Sequence, residues 1–259
     1  MNTNELKKIT ESLLDTFVKA GQRAIELRNK GLKTILKPDN SPVTNGDLEV
    51  DKLLREKIFQ ITPNIPQISE EKINLGQKKN YKDFWLIDPI DGTKEYIKNK
   101  DEFTLNASLI INLNPIIGII YVPAKKRLFF TYGKGNSFEK NEENKIKLDC
   151  KKKTNYGEVH AVHHSSELSP EVLEVHNKFN VKYFSKMSSS YKFCVIASGE
   201  FDLYTAKARA CEWDIAAGHA IVKNAGGIVS TMDEKEFKYG KNGYKNLSIL
   251  VKRSNNLDR

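Results

Sequence analysis

The run Trp85-Leu86-Ile87-Asp88-Pro89-Ile90-Asp91-Gly92-Thr93 places two carboxylates three residues apart at the end of an apolar stretch. An apolar strand ending in an acid, a rigid proline turn and a second acid bring both carboxylates toward one point. Hard divalent cations require convergent oxygen ligands of this kind. Pro89 fixes the backbone, and Gly92 permits a close turn. Thr93 is placed to cap a short helix whose free amides would face a phosphate. The plain alternative is an Asp-rich turn that closes a strand.

Other candidates are weaker taken singly. Glu70 and Glu71 follow Ile68-Ser69 at a strand end, where adjacent acids are ordinarily a solvated edge. Asp47 falls in the first turn of a predicted helix, where the dipole favours a carboxylate whatever its role. Asp214 lies in Cys211-Glu212-Trp213-Asp214-Ile215-Ala216-Ala217-Gly218-His219-Ala220, whose small residues let a helix approach another element closely. By type alone, His164 is a surface histidine and Lys192 a solvated lysine. His219 reads as a packed helix residue, and Cys194 and Cys211 as small packing residues.

The elements that must position these groups follow from periodicity. Leu6, Ile9, Leu13, Phe17, Ala20, Ala24 and Ile25 recur at a helical period between Asn4 and Lys30, with Gly31 as a stop. Leu32 to Leu36 reads as a short strand, and Pro38-Asp39-Asn40-Ser41-Pro42 as a loop. A second helix starts near Thr44-Asn45-Gly46-Asp47. Phe84 to Ile87 reads as a buried strand, Phe103 to Ile111 and Ile116 to Val122 as a hairpin around Asn114-Pro115, and Leu128 to Tyr132 as its continuation. Lys140 to Lys153 is a charged connection. Beyond it, strands near 159–162 and 181–184 alternate with helices at 170–176, 189–197 and 213–224, which predicts layered α/β packing. A boundary near 140–155 divides the chain into halves 1–145 and 146–259 that form one catalytic unit.

Composition bounds the rest. The 259 residues include 39% hydrophobic and 9% aromatic side chains, enough for a real interior. Lys and Arg number 42 against 33 acids, giving +9, but only seven are arginine and the lysines are scattered. No basic stripe interleaved with aromatics appears, so the charge reads as solvated lysine faces rather than a specific nucleic-acid site. Three cysteines without Cys-x-x-Cys spacing argue against a disulfide framework or zinc site and fit a reducing compartment. No signal peptide is visible, and the longest apolar run, Leu109 to Val122, is broken by Asn112, Asn114 and Pro115. A soluble intracellular protein is expected.

In combination the motifs are specific. Ser-Glu-Glu, then Trp-x-x-Asp-Pro-x-Asp-Gly-Thr, then Trp-Asp-x-Ala-Ala-Gly resembles the inositol-monophosphatase-like family of magnesium-dependent, lithium-sensitive phosphatases. The likeness is closer to its CysQ branch, the 3'(2'),5'-bisphosphate nucleotidases, through Asp39 to Thr44, Asp88 to Ile97, Glu102 to Asn106, Ser189 to Cys194 and the run ending Gly218-His219-Ala220. It extends from the first helix to about Gly227. The resemblance implies a layered α/β/α/β/α sandwich of the sugar-phosphatase type. It also implies two or three Mg²⁺ ions held by Glu70, Asp88, Asp91, Asp214 and the Ile90 carbonyl. Asp47 and Thr93 would orient and deprotonate the attacking water, with Glu70 assisting. Gly92, Thr93, His164, Lys192 and Asp214 would contact substrate, His164 and Lys192 around the second phosphate and ribose.

The implied reaction is hydrolysis of the 3'-phosphate of adenosine 3',5'-bisphosphate to AMP, with the sulfated nucleotide as a further substrate. The implied protein is cytoplasmic or peripheral on the inner membrane, a monomer or homodimer, and binds a small nucleotide rather than nucleic acid. Where the branch commonly has Pro-Arg, this chain has Thr205-Ala206-Lys207-Ala208-Arg209. Lys207 or Arg209 would have to replace the guanidinium, and lysine lacks its bidentate fork. The closest rival is an inositol or sugar monophosphatase, which needs polar residues near Glu212 for a ring of hydroxyls. A non-catalytic nucleotide or RNA binder using the +9 charge is a further rival, but it has no reason to keep four acids at its phosphate site.

Overall fold

Reciprocal capping starts the first helix: Asn2 Oδ1 accepts from the Glu5 amide at 3.0 Å, and the Asn2 amide donates to Glu5 Oε2 at 2.8 Å. The helix, α1, runs Thr3–Lys30 and buries Leu6, Thr10, Leu13, Leu14, Phe17, Ala20, Gly21 and Ala24 along one stripe. The computed structural model describes residues 1–73, 81–152, 157–255 and 257. Strands β1 (Thr34–Leu36) and β2 (Pro42–Thr44) pair antiparallel and lead into α2 (Asn45–Ile61). The predicted loop thus ends at Ser41, because Pro42 sits at a strand's first residue, where its missing N–H costs little.

A seven-stranded sheet follows, in the order β3-β4-β5-β6-β7-β8-β9. Its strands are β3 (Gln67–Ser69), β4 (Phe84–Asp91), β5 (Thr104–Ile111), β6 (Asn114–Val122), β7 (Arg127–Tyr132), β8 (Ser137–Lys140) and β9 (Lys145–Lys147), and α3 (Thr93–Ile97) lies between β4 and β5. The predicted hairpin forms, but its turn is Asn112-Leu113, both with positive φ (48° and 63°), and Pro115 lies inside β6. The charged connection contains the exposed edge strand β9, and its last residue, Lys153, lies outside the described residues.

The second sheet has the order β11-β10-β12-β14-β13. It comprises β10 (Val159–His163), β11 (Val181–Lys186), β12 (Leu203–Ala206), β13 (Ile228–Ser230) and β14 (Ile249–Lys252), with α4 (Pro170–Lys178), α5 (Tyr191–Ala197) and α6 (Glu212–Asn224) interspersed. Alternation along β6 fixes the layers. Ile117, Ile119 and Tyr121 pack with α1 and α2, whereas Ile120 and Val122 pack with α5 and α6. In the second sheet Val162, Tyr204 and Val251 face α5 and α6, while Ala161, Leu203 and Leu250 face Val175 of α4. The result is the α/β/α/β/α sandwich expected from the sequence. Close approach of the central helices needs glycine: a Cβ at Gly118 would meet the Ala217 carbonyl oxygen at 2.3 Å, and one at Gly218 would meet Phe193 Cγ at 2.2 Å. No helix of the described residues is long and apolar enough to cross a membrane.

Two buried histidines tie this packing to pH. Burial pushes His176 down to about 4 and His219 down to about 3, with the neighbouring His163, or Lys223 and Lys241, adding to it. His219 Nδ1 lies 2.9 Å from the Tyr239 hydroxyl, and His176 Nε2 has no partner. Both stay neutral in the fold at pH 5, whereas an unfolded histidine protonates below about 6.5. The unfolded state therefore binds more protons, and each residue should cost about 2 kcal/mol of stability between pH 7.5 and 5. The buried carboxylates titrate in the opposite sense, so the effect is read as a difference. His176→Leu should gain about 2 kcal/mol on wild type over that interval in urea unfolding; parallel pH profiles for the two proteins would refute it.

Candidate active site

Strands β3 and β4 run parallel, so both deliver acids at the same sheet end: Glu70 just beyond β3, with its amide 3.1 Å from the Ile87 carbonyl, and Asp88 within β4. Pro89 makes no turn. The strand continues through it to Asp91, and the register against β5 slips by one residue between Asp88↔Asn106 and Asp91↔Thr104. This bulge arises where Pro89 cannot donate to the ladder, and it re-aims the second acid. The short helix begins with Thr93, but the residue before it, Gly92, occupies the cap position in the left-handed region (φ 89°, ψ 40°). Thr93 is therefore the helix's first residue, not its cap.

From the other half of the chain, α6 contributes Asp214 in its first turn, held by the Cys211 amide at 2.7 Å. Carboxylate oxygens of Glu70, Asp88 and Asp214 all lie within 4.8 Å of one another. Asp88 is 1% exposed, and its Oδ1 has no hydrogen-bond partner among the described residues. Burial first, then the charges of Glu70, Asp91, Asp214 and Asp47, raise its pKa well above the carboxylate range. Asp214 is pushed up to about 8 by burial and by Asp91 and Glu70. Oxygen-only donors, an unpartnered buried oxygen and uncompensated acidity fit a hard divalent cation. Asp91, the fourth carboxylate predicted as a ligand, lines the cavity beside these three but is not among the oxygens that converge within 4.8 Å; its Oδ2 accepts from the Ser190 amide (2.5 Å) and hydroxyl (2.7 Å).

The water-activating pair predicted from sequence is in contact. Thr93 Oγ1 lies 3.1 Å from both Asp47 Oδ1 and the Ile90 carbonyl oxygen. Thr44 caps α2 and holds the other Asp47 oxygen through its amide (2.8 Å) and hydroxyl (2.5 Å). Burial raises the Asp47 pKa, against the lowering effect of the Thr44 and Thr93 hydrogen bonds. Lys37, at the end of the β1–β2 hairpin, reaches Glu70 (2.9 Å) and Glu71 (2.8 Å). Burial works against its charge, but the two carboxylates outweigh it and hold the ammonium protonated.

A cavity of about 410 Å³ opens over Glu70, Asp88, Asp91, Thr93 and Asp214, lined also by His164, Lys192, Tyr204, Arg209 and Leu247, while Asp47 lies behind Thr93 and does not line it. Lys192 is not the solvated lysine its type suggests. It is 5% exposed, donates to the Ser189 carbonyl at 2.5 Å and lies 5.2 Å from the Tyr204 ring centroid. Burial brings its pKa down to about 8, against the attraction of Asp91. His164 is half-buried, and burial followed by Arg209, His163 and Lys192 brings it down to about 4. Lys207 and Arg209 both line the cavity, but Lys207 is paired to Glu171 at 2.7 Å, while Arg209 forms no ion pair among the described residues. Arg209 is thus the guanidinium available to the site. Glu212 is fully buried and turned away: its carboxylate accepts from the Gly240 and Lys241 amides at 2.8 and 2.9 Å. Lys37, Tyr204 and Leu247 carried no sequence signal of a role, and Ser190, though inside the Ser189–Cys194 motif, was assigned none, since each role is set by contacts from distant segments.

A family model described as the inositol monophosphatase family matches residues 5–256. The 3'(2'),5'-bisphosphate nucleotidase CysQ of Buchnera aphidicola subsp. Acyrthosiphon pisum (strain APS) is 36% identical over 245 residues, 91% of this chain and 89% of that protein. The corresponding Salmonella typhimurium protein is 32% identical over 211 residues, covering 81% and 84%. The crystal structure of CysQ from Bacteroides thetaiotaomicron superposes with a TM-score of 0.77 at 29% identity, covering 96% of this chain and 97% of that one.

Proposed function

Because the chain belongs to the inositol monophosphatase family, we propose that it is a Mg²⁺-dependent phosphatase of nucleotide bisphosphates. Its substrate is adenosine 3',5'-bisphosphate, cleaved at the 3'-phosphate to AMP and orthophosphate, with the sulfated nucleotide as a second substrate. The observation that carries this reading is one cavity with two kinds of wall. The cavity is lined by the carboxylates Glu70, Asp88, Asp91 and Asp214 and also by the cations Lys192 and Arg209, with the neutral His164 ring beside them. A monophosphate engages only the first; a bisphosphate uses both. The rival inositol or sugar monophosphatase needs polar residues near Glu212 for a ring of hydroxyls, and Glu212 itself is turned to the Gly240–Lys241 backbone.

Two or three Mg²⁺ ions on Glu70, Asp88, Asp91, Asp214 and the Ile90 carbonyl would acidify water and neutralise phosphate charge. The chain's own residues orient and move protons. The Thr93 hydroxyl accepts a hydrogen bond from the attacking water and relays its proton to Asp47 Oδ1, with Glu70 assisting. The water oxygen bonds to phosphorus as the P–O3' bond breaks, and the leaving oxygen takes a proton from solvent water to become the ribose hydroxyl, while Asp47 returns its proton to solvent. Gly92, where a Cβ would meet the Glu102 carbonyl oxygen at 3.2 Å and whose φ of 89° is left-handed, holds the turn that presents Thr93 to the phosphate. Positioning and charge account for most of the rate in such transfers. In this reading the halves 1–145 and 146–259 act as one catalytic unit, in the cytoplasm, as a monomer or homodimer.

Phosphate release from adenosine 3',5'-bisphosphate, inositol 1-phosphate and fructose 1,6-bisphosphate tests the substrate class. Lys192 supplies the sharper test, because a buried, tethered ammonium acts by contact rather than by long-range steering. Removing it should lower kcat/KM for the nucleotide by about 1.5–3 kcal/mol, the range for a hydrogen bond to a charged group. Lys192→Met, which preserves the packed volume but gives up the bond to the Ser189 carbonyl, should lose more on the nucleotide than on a small phosphate ester, the difference being the second-phosphate contact. Equal losses on both substrates, or none on either, refute the assignment of Lys192 to the second phosphate.

A further inference from the structure

Ser190 stands where the two halves of the acid centre meet. It is 2% exposed, and its amide and hydroxyl both reach Asp91 Oδ2, at 2.5 and 2.7 Å. The same hydroxyl lies 2.6 Å from the main-chain oxygen of Asp214 and accepts from Asn106 Nδ2 at 3.0 Å. One serine thus touches a carboxylate from β4, the first turn of α6 and a side chain of β5. Its own placement is fixed from several sides. Ser189 is held in the left-handed region (φ 56°), where a non-glycine residue needs outside support. That support comes from the Ser188 amide on Glu102 Oε2 at 2.9 Å and from Lys192 Nζ on the Ser189 carbonyl at 2.5 Å.

We infer that Ser190 is a positioning residue of the metal centre: it orients Asp91, leaves only Oδ1 of that carboxylate free for an ion, and couples Asp91 to Asp214 across the two halves. The Ser190 amide holds Oδ2 throughout and the hydroxyl holds it in part, so Oδ1 is the oxygen that meets no Ser190 donor. The hydroxyl has one proton and two acceptors in reach, so it is shared between Asp91 and the Asp214 main chain. Groups that orient a ligand in this way typically change metal affinity by about 10–100-fold when removed. The inference rests on the metal reading of the acid centre.

The test is Mn²⁺ binding to the full chain, followed by the free-ion EPR signal, alongside the melting temperature of the chelator-treated protein. Ser190→Ala should weaken binding by about 10–100-fold without lowering that melting temperature by more than a few degrees, and Ser190→Thr should restore it. In an Asp91→Ala background, Ser190→Ala should weaken binding no further, because the two act as one unit. Equal Mn²⁺ binding by Ser190→Ala and wild type would overturn the inference, as would a full additional loss in the Asp91→Ala background. Absence of Mn²⁺ binding in wild type would instead overturn the metal reading itself. If Ser190→Ala does not fold, Ser190→Cys, which keeps the volume but weakens the donor, carries the same comparison.

Discussion

Asp88→Asn should reduce phosphate release by at least about a thousandfold, a change of roughly 4 kcal/mol in activation free energy, while the chelator-treated variant melts above wild type. Both effects have one cause. Asp88 is fully buried beside Glu70, Asp91 and Asp214, and burial together with their charges opposes its ionisation. An amide of the same shape removes that repulsion, and each kcal/mol relieved is worth about 2–4 °C in a chain of this size. The same amide withdraws the charge and one oxygen that divalent ions require. A site that destabilises the empty fold in order to hold ions is the usual exchange between stability and activity. Residual turnover within tenfold of wild type would contradict the assignment, and so would a lower melting temperature.

Removal of divalent ions should abolish turnover, and Mg²⁺ should restore it. Ca²⁺ should bind without supporting the reaction, because it takes more ligands at longer distances than Mg²⁺. Li⁺ inhibition is expected from family membership. Binding should also be visible without catalysis: an ion at a hundredfold excess over its dissociation constant adds about 2.7 kcal/mol to stability, a rise of roughly 5–10 °C at 2–4 °C per kcal/mol. Thermal melts with and without Mg²⁺ measure this directly. Full turnover by chelator-treated protein, or melting curves insensitive to Mg²⁺, would remove the basis of the proposed chemistry.

Sequence periodicity was sufficient for the parts of this molecule that are local. The α1 stripe from Leu6 to Ala24 and the capping of α2 by Thr44 are built from residues within a turn or two of one another. The motifs at Glu70, Asp88 to Thr93 and Asp214 are local too, and their order along the chain was enough to indicate the family and its layered fold. Local readings failed at the hairpin turn, which is Asn112-Leu113, at Thr93, which follows its cap, and at Pro89, where a residue that breaks a ladder bond produced a bulge within a strand because β5 continued to pair on either side of it.

What the sequence left open depends on which distant segments meet. Lys192 reads as solvated by type, and only the packing of α5 against Tyr204 makes it a buried cation at the site. Nothing in the stretch Ser188-Ser189-Ser190 distinguishes its last member. The distinction comes from Asp91, 99 residues earlier, and Asp214, 24 residues later. Glu212 and Asp214 are two residues apart on one helix, yet one is bound by the Gly240–Lys241 backbone and the other faces the acid centre. The residue types and their local spacing determined the chemistry available to this protein. The tertiary structure decided which of those groups are desolvated and paired, because burial and partnership are set by contacts between segments whose spacing along the chain carries no periodic signal.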